Sequence, residues 1–137
     1  RPTVALADFV PGRVSRRELR ELVDAGLIAV HGSGGEAKVA EDDAVILECW
    51  AQFKEAGFGP QQGVAPAALR LHDDAMRQLV KREARLAVAA YADAHAEDVS
   101  RVIEQVGPVI GRLLSAMHRK HLREFLASVG GDEPTPG

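Results

Sequence analysis

Four arginines lie within eight residues near the start of the chain, at positions 13, 16, 17 and 20. Guanidinium groups hold phosphate oxygens in paired hydrogen bonds, so such a cluster is typical of a surface that contacts a nucleic-acid backbone. Ser15 can begin a helix that carries three of these arginines, and Lys38 lies beside a glycine-rich stretch. The candidate DNA-binding residues are therefore Arg13, Ser15, Arg16, Arg17, Arg20 and Lys38.

Other reactive residue types do not form a catalytic pattern. The glycine-rich segment 32–35 lacks the Lys-Ser/Thr exit that a nucleotide-binding loop needs. His118 and His121 share one helical face, but without a nearby cysteine or paired carboxylates we favour exposed surface histidines over a metal site. Cys49 is interpreted as a buried small hydrophobe rather than a thiol sensor. The sequence thus predicts no enzymatic activity, no cofactor and no metal.

The composition is that of a folded chain with a real core. It has 137 residues, of which 46% are hydrophobic, and one cysteine. No apolar run approaches the roughly 20 residues that span a bilayer, so we expect a cytoplasmic protein without a membrane partner. The start at Arg1 rather than Met leads us to expect a piece of a longer protein. Residues 1–63 hold seven Lys/Arg against ten Asp/Glu, a balance that disfavours free-standing DNA binding.

Local signals predict two short helices in the first quarter of the chain. Residues 3–10 are compatible with about two turns of helix, which Pro11-Gly12 would end. Ser15 and Glu18 have the spacing of a capping box, and Gly26 marks the end of the second helix. Helix, break and capped helix is the order of a helix-turn-helix, and a small three-helix core is the alternative.

The next segment predicts a wing and a third helix. Residues 29–39 place two short apolar stretches on either side of a glycine-rich tip, which favours a two-stranded hairpin. A helix follows from near Asp42, where acidic residues suit the positive helix terminus, and Gly57 stops it.

Two stretches, residues 18–28 (Glu-Leu-Arg-Glu-Leu-Val-Asp-Ala-Gly-Leu-Ile) and residues 55–58 (Glu-Ala-Gly-Phe), occur in this order around the glycine-rich wing. In that order and spacing the chain resembles the winged helix-turn-helix of the MerR family of transcriptional regulators. The resemblance covers roughly residues 3–62, under half of the chain. It implies DNA binding and a role in transcription control.

The chain departs from the family pattern at two places. Leu22 and Val23 stand where the family usually has aromatic residues, and Lys38-Val39 stands where it usually has an Arg-Tyr-like pair. In the family the residues at these positions contact the DNA backbone. With these departures the chain is also similar to some actinobacterial MerR-like regulators. In those proteins a degenerate helix-turn-helix follows a true one and lies in a C-terminal effector or dimerisation region.

The second half predicts long helices. Residues 58–66 contain two glycines and two prolines and should form a hinge, after which a helix of about 28 residues runs to about Ala94. A bend near His95 precedes a second long apolar segment over residues 99–128, in which Gly107-Pro108 predicts a kink or two helices. Its apolar face is too wide for one neighbour, so a homodimer is expected.

The predicted fold class is mainly α, with a small winged helix-turn-helix-like domain followed by a long two-helix hairpin. Three domains are predicted. The winged domain covers residues 1–62, and the dimerisation or effector region covers residues 63–129. Residues 130–137 are a disordered tail.

Two functional hypotheses follow. The first is a domain of a MerR-like transcriptional regulator, which either binds DNA itself or dimerises and senses a small-molecule effector while an N-terminal domain reads DNA. The second is a helical protein–protein adaptor without DNA binding. An effector pocket would lie where the two halves meet, and the same side chains could equally be plain core. Its candidate residues are Cys49, Trp50, Phe53, Phe58, Met76 and Tyr91.

Overall fold

A computed structural model describes residues 2–130 and shows a mainly α protein, as predicted. Within that range the chain forms four α-helices, a three-stranded sheet and several 3₁₀ turns. Its residues group into two compact units, which divide between Arg82 and Glu83. The strands are β1 (Thr3–Ala5), β2 (Val30–His31) and β3 (Lys38–Ala40), and the helices are α1 (Arg16–Asp24), α2 (Glu41–Glu55), α3 (Arg70–Ala90) and α4 (Ala96–Gly130).

The first segment is a strand, so the helix predicted over residues 3–10 is wrong. Strand β1 pairs antiparallel with β3, with Val4 opposite Val39, and a 3₁₀ turn over Leu6–Asp8 follows it. The amide of Leu6 also donates to the carbonyl of Ala37 at 3.0 Å. This pairing joins positions more than 30 residues apart, and a β-branched valine suits it, so the sheet overrides a weak local helix preference.

The second short helix forms as predicted. The Ser15 side chain accepts a hydrogen bond from the Glu18 amide at 3.0 Å, and the Glu18 carboxylate accepts one from the Ser15 amide at 2.8 Å. Helix α1 therefore begins with a complete capping box, which satisfies two of its free amide donors. Gly26 follows the end of α1 and has a φ of 74°, a left-handed conformation that favours glycine.

The predicted two-stranded hairpin and the helix after it are both present. Strands β2 and β3 pair antiparallel, with His31 opposite Lys38, and a 3₁₀ turn over Gly34–Glu36 forms the tip. Because β3 lies between β1 and β2, the wing belongs to the same small sheet as the first strand. Helix α2 follows β3 directly, and its first turn holds three acidic residues that suit the helix dipole.

The core of the first unit lies between α1, α2 and the sheet. Trp50, Leu22, Leu47, Val14 and Val39 are fully buried there. Each fully buried large side chain contributes about 1.5–3 kcal/mol relative to exposure, so this small cluster is the main source of stability in the unit.

Residues 58–69 are part of the first unit, so the hinge predicted at residues 58–66 is wrong. Pro66 is buried, and Val64 and Leu69 pack against the core cluster. Gly59 is also buried, and an added Cβ there would lie 2.8 Å from Cγ of Lys54. A 3₁₀ turn over Pro66–Leu69 precedes α3, which is therefore shorter than the single helix predicted from Pro66 to about Ala94. The predicted domain boundary at residue 62 lies inside the first unit.

Helix α4 is continuous over Ala96–Gly130 with Pro108 inside it, so the two-helix alternative for this segment is wrong. Proline removes one backbone hydrogen bond, and in a helix of 35 residues the flanking turns keep theirs. Neither α3 nor α4 contains a buried residue. The predicted tail at residues 130–137 lies outside the described residues, apart from Gly130, which ends α4.

Candidate nucleic-acid interface

The exposed face of α1 carries three of the predicted DNA-binding residues. Arg16 and Arg17 occupy the first turn, Arg20 follows one turn later, and all three are exposed. None of them makes an ion pair with any residue between Pro2 and Gly130. Their guanidinium donors are therefore available to an external anion such as phosphate.

Arg13 lies before α1, and the structure commits its side chain to α2. Its guanidinium forms ion pairs with Glu48 and, at 3.0 Å, with Glu55. The hydrogen bonds to Glu48 and Glu55 raise the pKa of Arg13 beyond its usual range. Both acidic partners lie more than 30 positions away, so sequence reasoning missed this pairing. Arg13 therefore neutralises the charge of two carboxylates on α2. In this it differs from Arg16, Arg17 and Arg20, which make no ion pair within residues 2–130.

Ser15 is likewise engaged within the protein, because its hydroxyl accepts the capping hydrogen bond from the amide of Glu18. Its effect on the predicted interface is indirect. The cap fixes the start of α1 and with it the positions of Arg16 and Arg17.

Glu18 connects the cap of α1 to α2. One carboxylate oxygen accepts from the Ser15 amide and from Nζ of Lys54, both at 2.8 Å, and the other accepts from Nε1 of Trp50 at 3.0 Å. Lys54 also donates to the Arg13 carbonyl at 2.7 Å. Burial raises the pKa of Glu18, but hydrogen bonds from Lys54, the Ser15 amide and Trp50 outweigh it and hold that pKa below its ordinary value.

The wing places Lys38 opposite His31 in register, and both side chains are exposed. Residues directly opposite each other in an antiparallel pair project to the same face, so the wing presents one lysine and one histidine together. Glu36 is also exposed and lies in the turn at the tip, which weakens the local positive charge. The wing could therefore supply at most one contact to a phosphate group.

An open cavity of about 610 Å³ lies beside the start of α1. One wall is formed by Ser15, Arg17, Glu18 and Glu21, and the other by the segment from Pro60 to Pro66. Sequence reasoning missed it because that segment was interpreted as a hinge. The spacing of its prolines and glycines indicates only irregular backbone. Val64 within the segment and Leu69 just after it are the apolar residues that could have indicated packing against the core.

The candidate effector residues do not line this cavity, nor two smaller ones of about 480 and 270 Å³. Trp50 is fully buried in the core of the first unit. The ring centroids of Phe53 and Phe58 lie 6.0 Å apart at the C-terminal end of α2, and Phe58 is 58% exposed. Cys49 is exposed, so its interpretation as a buried hydrophobe is wrong. Met76 on α3 and Tyr91 after it are also exposed.

No family model, curated protein or solved structure matches this chain. In the described part of the chain, no three His, Cys, Asp or Glu side chains are grouped to hold a metal ion. None of the helices described is both long and apolar enough to cross a membrane.

Proposed function

We propose that this chain is part of a MerR-like transcriptional regulator, acts as a homodimer, and contacts the backbone of duplex DNA through α1. The observation that carries the proposal is the set of three arginines on the first two turns of α1, exposed and without an ion-pair partner in residues 2–130. Lys38 on the strand hairpin of the same unit would add one further contact.

The chemistry of the α1 surface supports phosphate binding. Arginine forms two parallel hydrogen bonds to phosphate oxygens, and the start of a helix adds the positive end of its dipole. Glu21 and Asp24 lie on the same helix and reduce the field. Binding should therefore be modest in affinity, insensitive to DNA sequence and strongly dependent on salt.

Fluorescence anisotropy with a labelled duplex tests this proposal. Changing Arg16, Arg17 and Arg20 together to alanine should weaken binding about 10- to 100-fold at low salt, because three phosphate contacts are lost. The slope of log affinity against log salt should also fall by about three, one unit for each contact.

The matched control changes Lys81, Arg82 and Arg85 to alanine, which removes the same charge from α3. None of these three residues makes an ion pair in the described part of the chain. Equal losses in the two variants would show that net charge alone drives binding and would contradict the α1 interface. A folded protein that binds no DNA at low salt would refute the DNA-binding proposal. It would leave the dimerisation or effector region of a regulator and the helical adaptor as the two hypotheses.

A further inference from the structure

The open cavity beside the start of α1 lies wholly within the first unit, and its two walls differ in chemistry. The α1 wall presents charged and polar side chains. The opposite wall is the segment after α2, which presents Pro60, Ala65 and Pro66 with Gly63 among them. The volume of about 610 Å³ is within the range of small-molecule sites, which is about 300–1,000 Å³.

Two of the polar groups on the α1 wall are already used inside the protein. The Ser15 hydroxyl and the Glu18 carboxylate complete the capping box, and Glu18 also pairs with Nζ of Lys54 at 2.8 Å. The cap satisfies free amide donors at this end of the helix, so the helix terminus itself is closed. The groups that remain for a ligand are the side chains of Arg17 and Glu21.

Arg17 and Glu21 lie four positions apart on α1, and both line the cavity. Neither makes an ion pair with the other or with any further residue from Pro2 to Gly130. An arginine that precedes a glutamate at this spacing is the less favourable order for an ion pair on a helix. The α1 wall therefore carries one uncommitted cation and one uncommitted anion side by side.

The separation of these two charges suits a small zwitterion. Four residues of helix rise about 6 Å, and both side chains are flexible enough to meet an ammonium and a carboxylate that are joined through one carbon. A guanidinium holds a carboxylate through two parallel hydrogen bonds, and a carboxylate accepts hydrogen bonds from an ammonium group. Pro60, Ala65 and Pro66 on the opposite wall would cover an aliphatic side chain.

Ligands with a single charge fit this pair of groups less well. An anion on Arg17 would lie near the Glu21 carboxylate, and a cation on Glu21 would lie near the Arg17 guanidinium. Each would gain one attractive contact and one repulsive contact, whereas a zwitterion gains two attractive ones.

We propose that this cavity binds a free α-amino acid with an aliphatic side chain, its carboxylate on Arg17 and its ammonium group on Glu21. Arg17 is also one of the three arginines of the proposed DNA interface, so the bound amino acid competes with a DNA phosphate for the same guanidinium. This effect on DNA rests on the proposed function, whereas binding of the amino acid does not.

Titration of the isotope-labelled full chain with L-leucine, followed by NMR amide chemical shifts, tests the site directly. The amides of Arg17 and Glu21 on one wall and of Gly63 and Ala65 on the other should shift with one common dissociation constant. N-acetyl-L-leucine lacks the ammonium group and isopentylamine lacks the carboxylate, so each should bind about tenfold more weakly than L-leucine.

Glu21→Gln and Asp24→Asn are matched variants, since each removes one carboxylate charge from α1 and only Glu21 lines the cavity. Glu21→Gln should weaken L-leucine binding about tenfold, and Asp24→Asn should leave it within about twofold. Arg17→Gln should weaken the binding of both L-leucine and DNA. Arg16→Gln, which lies outside the cavity, should weaken the binding of DNA alone. The dispersion of the same spectra confirms that each variant is folded.

Competition is measured by fluorescence anisotropy with the labelled duplex. Saturating L-leucine should weaken DNA binding about 3- to 10-fold and lower the slope of log affinity against log salt by about one, because one phosphate contact is lost. The coupling is reciprocal, so DNA should weaken L-leucine binding by the same factor. L-leucine should have no effect on the DNA affinity of Arg17→Gln.

The other outcomes separate this inference from the proposed function. Absence of amide shifts up to the solubility limit of L-leucine would overturn the site, whatever the DNA result. Equal affinities for L-leucine and its two analogues would overturn the zwitterion and leave only an apolar contact. Binding of L-leucine by a folded chain that binds no DNA would overturn the proposed function and the competition, and the amino-acid site would stand on its own measurement.

Discussion

Replacing Trp50 with alanine is expected to lower the free energy of unfolding of the first unit by about 3–5 kcal/mol. Trp50 is fully buried at the centre of a small core, and truncation leaves a cavity that few neighbours can fill. It also removes the Nε1 donor that meets Glu18 at 3.0 Å. A change of this size is a large fraction of the stability of a small domain.

Hydrogen exchange followed by mass spectrometry is the suitable measurement, because it reports on the amides of α2 and β3 separately from those of the long helices. Val45→Ala is the matched control on the same helix, since Val45 is 58% exposed and its loss should change stability by no more than about 0.5 kcal/mol. Equal protection in Trp50→Ala and wild type would show that the core does not depend on this side chain.

Glu18→Ala is expected to destabilise the first unit by about 2–4 kcal/mol. The substitution removes half of the capping box and leaves the Trp50 indole N–H and the Lys54 ammonium without their carboxylate. Hydrogen bonds to charged groups contribute about 1.5–3 kcal/mol each, and the loss of a cap adds about 1 kcal/mol. The contributions are not additive, because all three donors share one carboxylate.

The same carboxylate should make the stability of the first unit depend on pH. The pKa of Glu18 is lowered in the folded protein, so its contribution is complete above the ordinary value of 4.5 and is lost as the pH falls through the folded pKa. Hydrogen exchange protection of α1 should therefore weaken below about pH 4.5, and Glu18→Gln should reduce that dependence.

Glu21→Gln is the control for this measurement. Glu21 lies one turn further along α1, and its side chain makes no hydrogen bond or ion pair within the described residues. The acid dependence of wild type and of Glu21→Gln should therefore match. If Glu18→Gln shows the same acid dependence as wild type, the loss of stability arises from other carboxylates and not from Glu18.

Local signals in the sequence determined several elements. The capping box of Ser15 and Glu18, the glycine at position 26 and the acidic start of α2 act within one helical turn, so residue type and spacing are enough to locate them. The wing was predictable for the same reason, since two short apolar stretches flank a glycine-rich tip. The apolar face of α4 also follows from spacing alone.

The tertiary structure alone decided the remaining features. Residues 3–5 form a strand because β3 is available to pair with them, and Arg13 is withdrawn from the candidate interface because Glu48 and Glu55 lie within reach. Trp50 joins the core rather than a pocket because its face of α2 meets α1. Each of these outcomes depends on groups that are distant in the chain. Their free energies are gained only after folding brings them together, so no local pattern could reveal them.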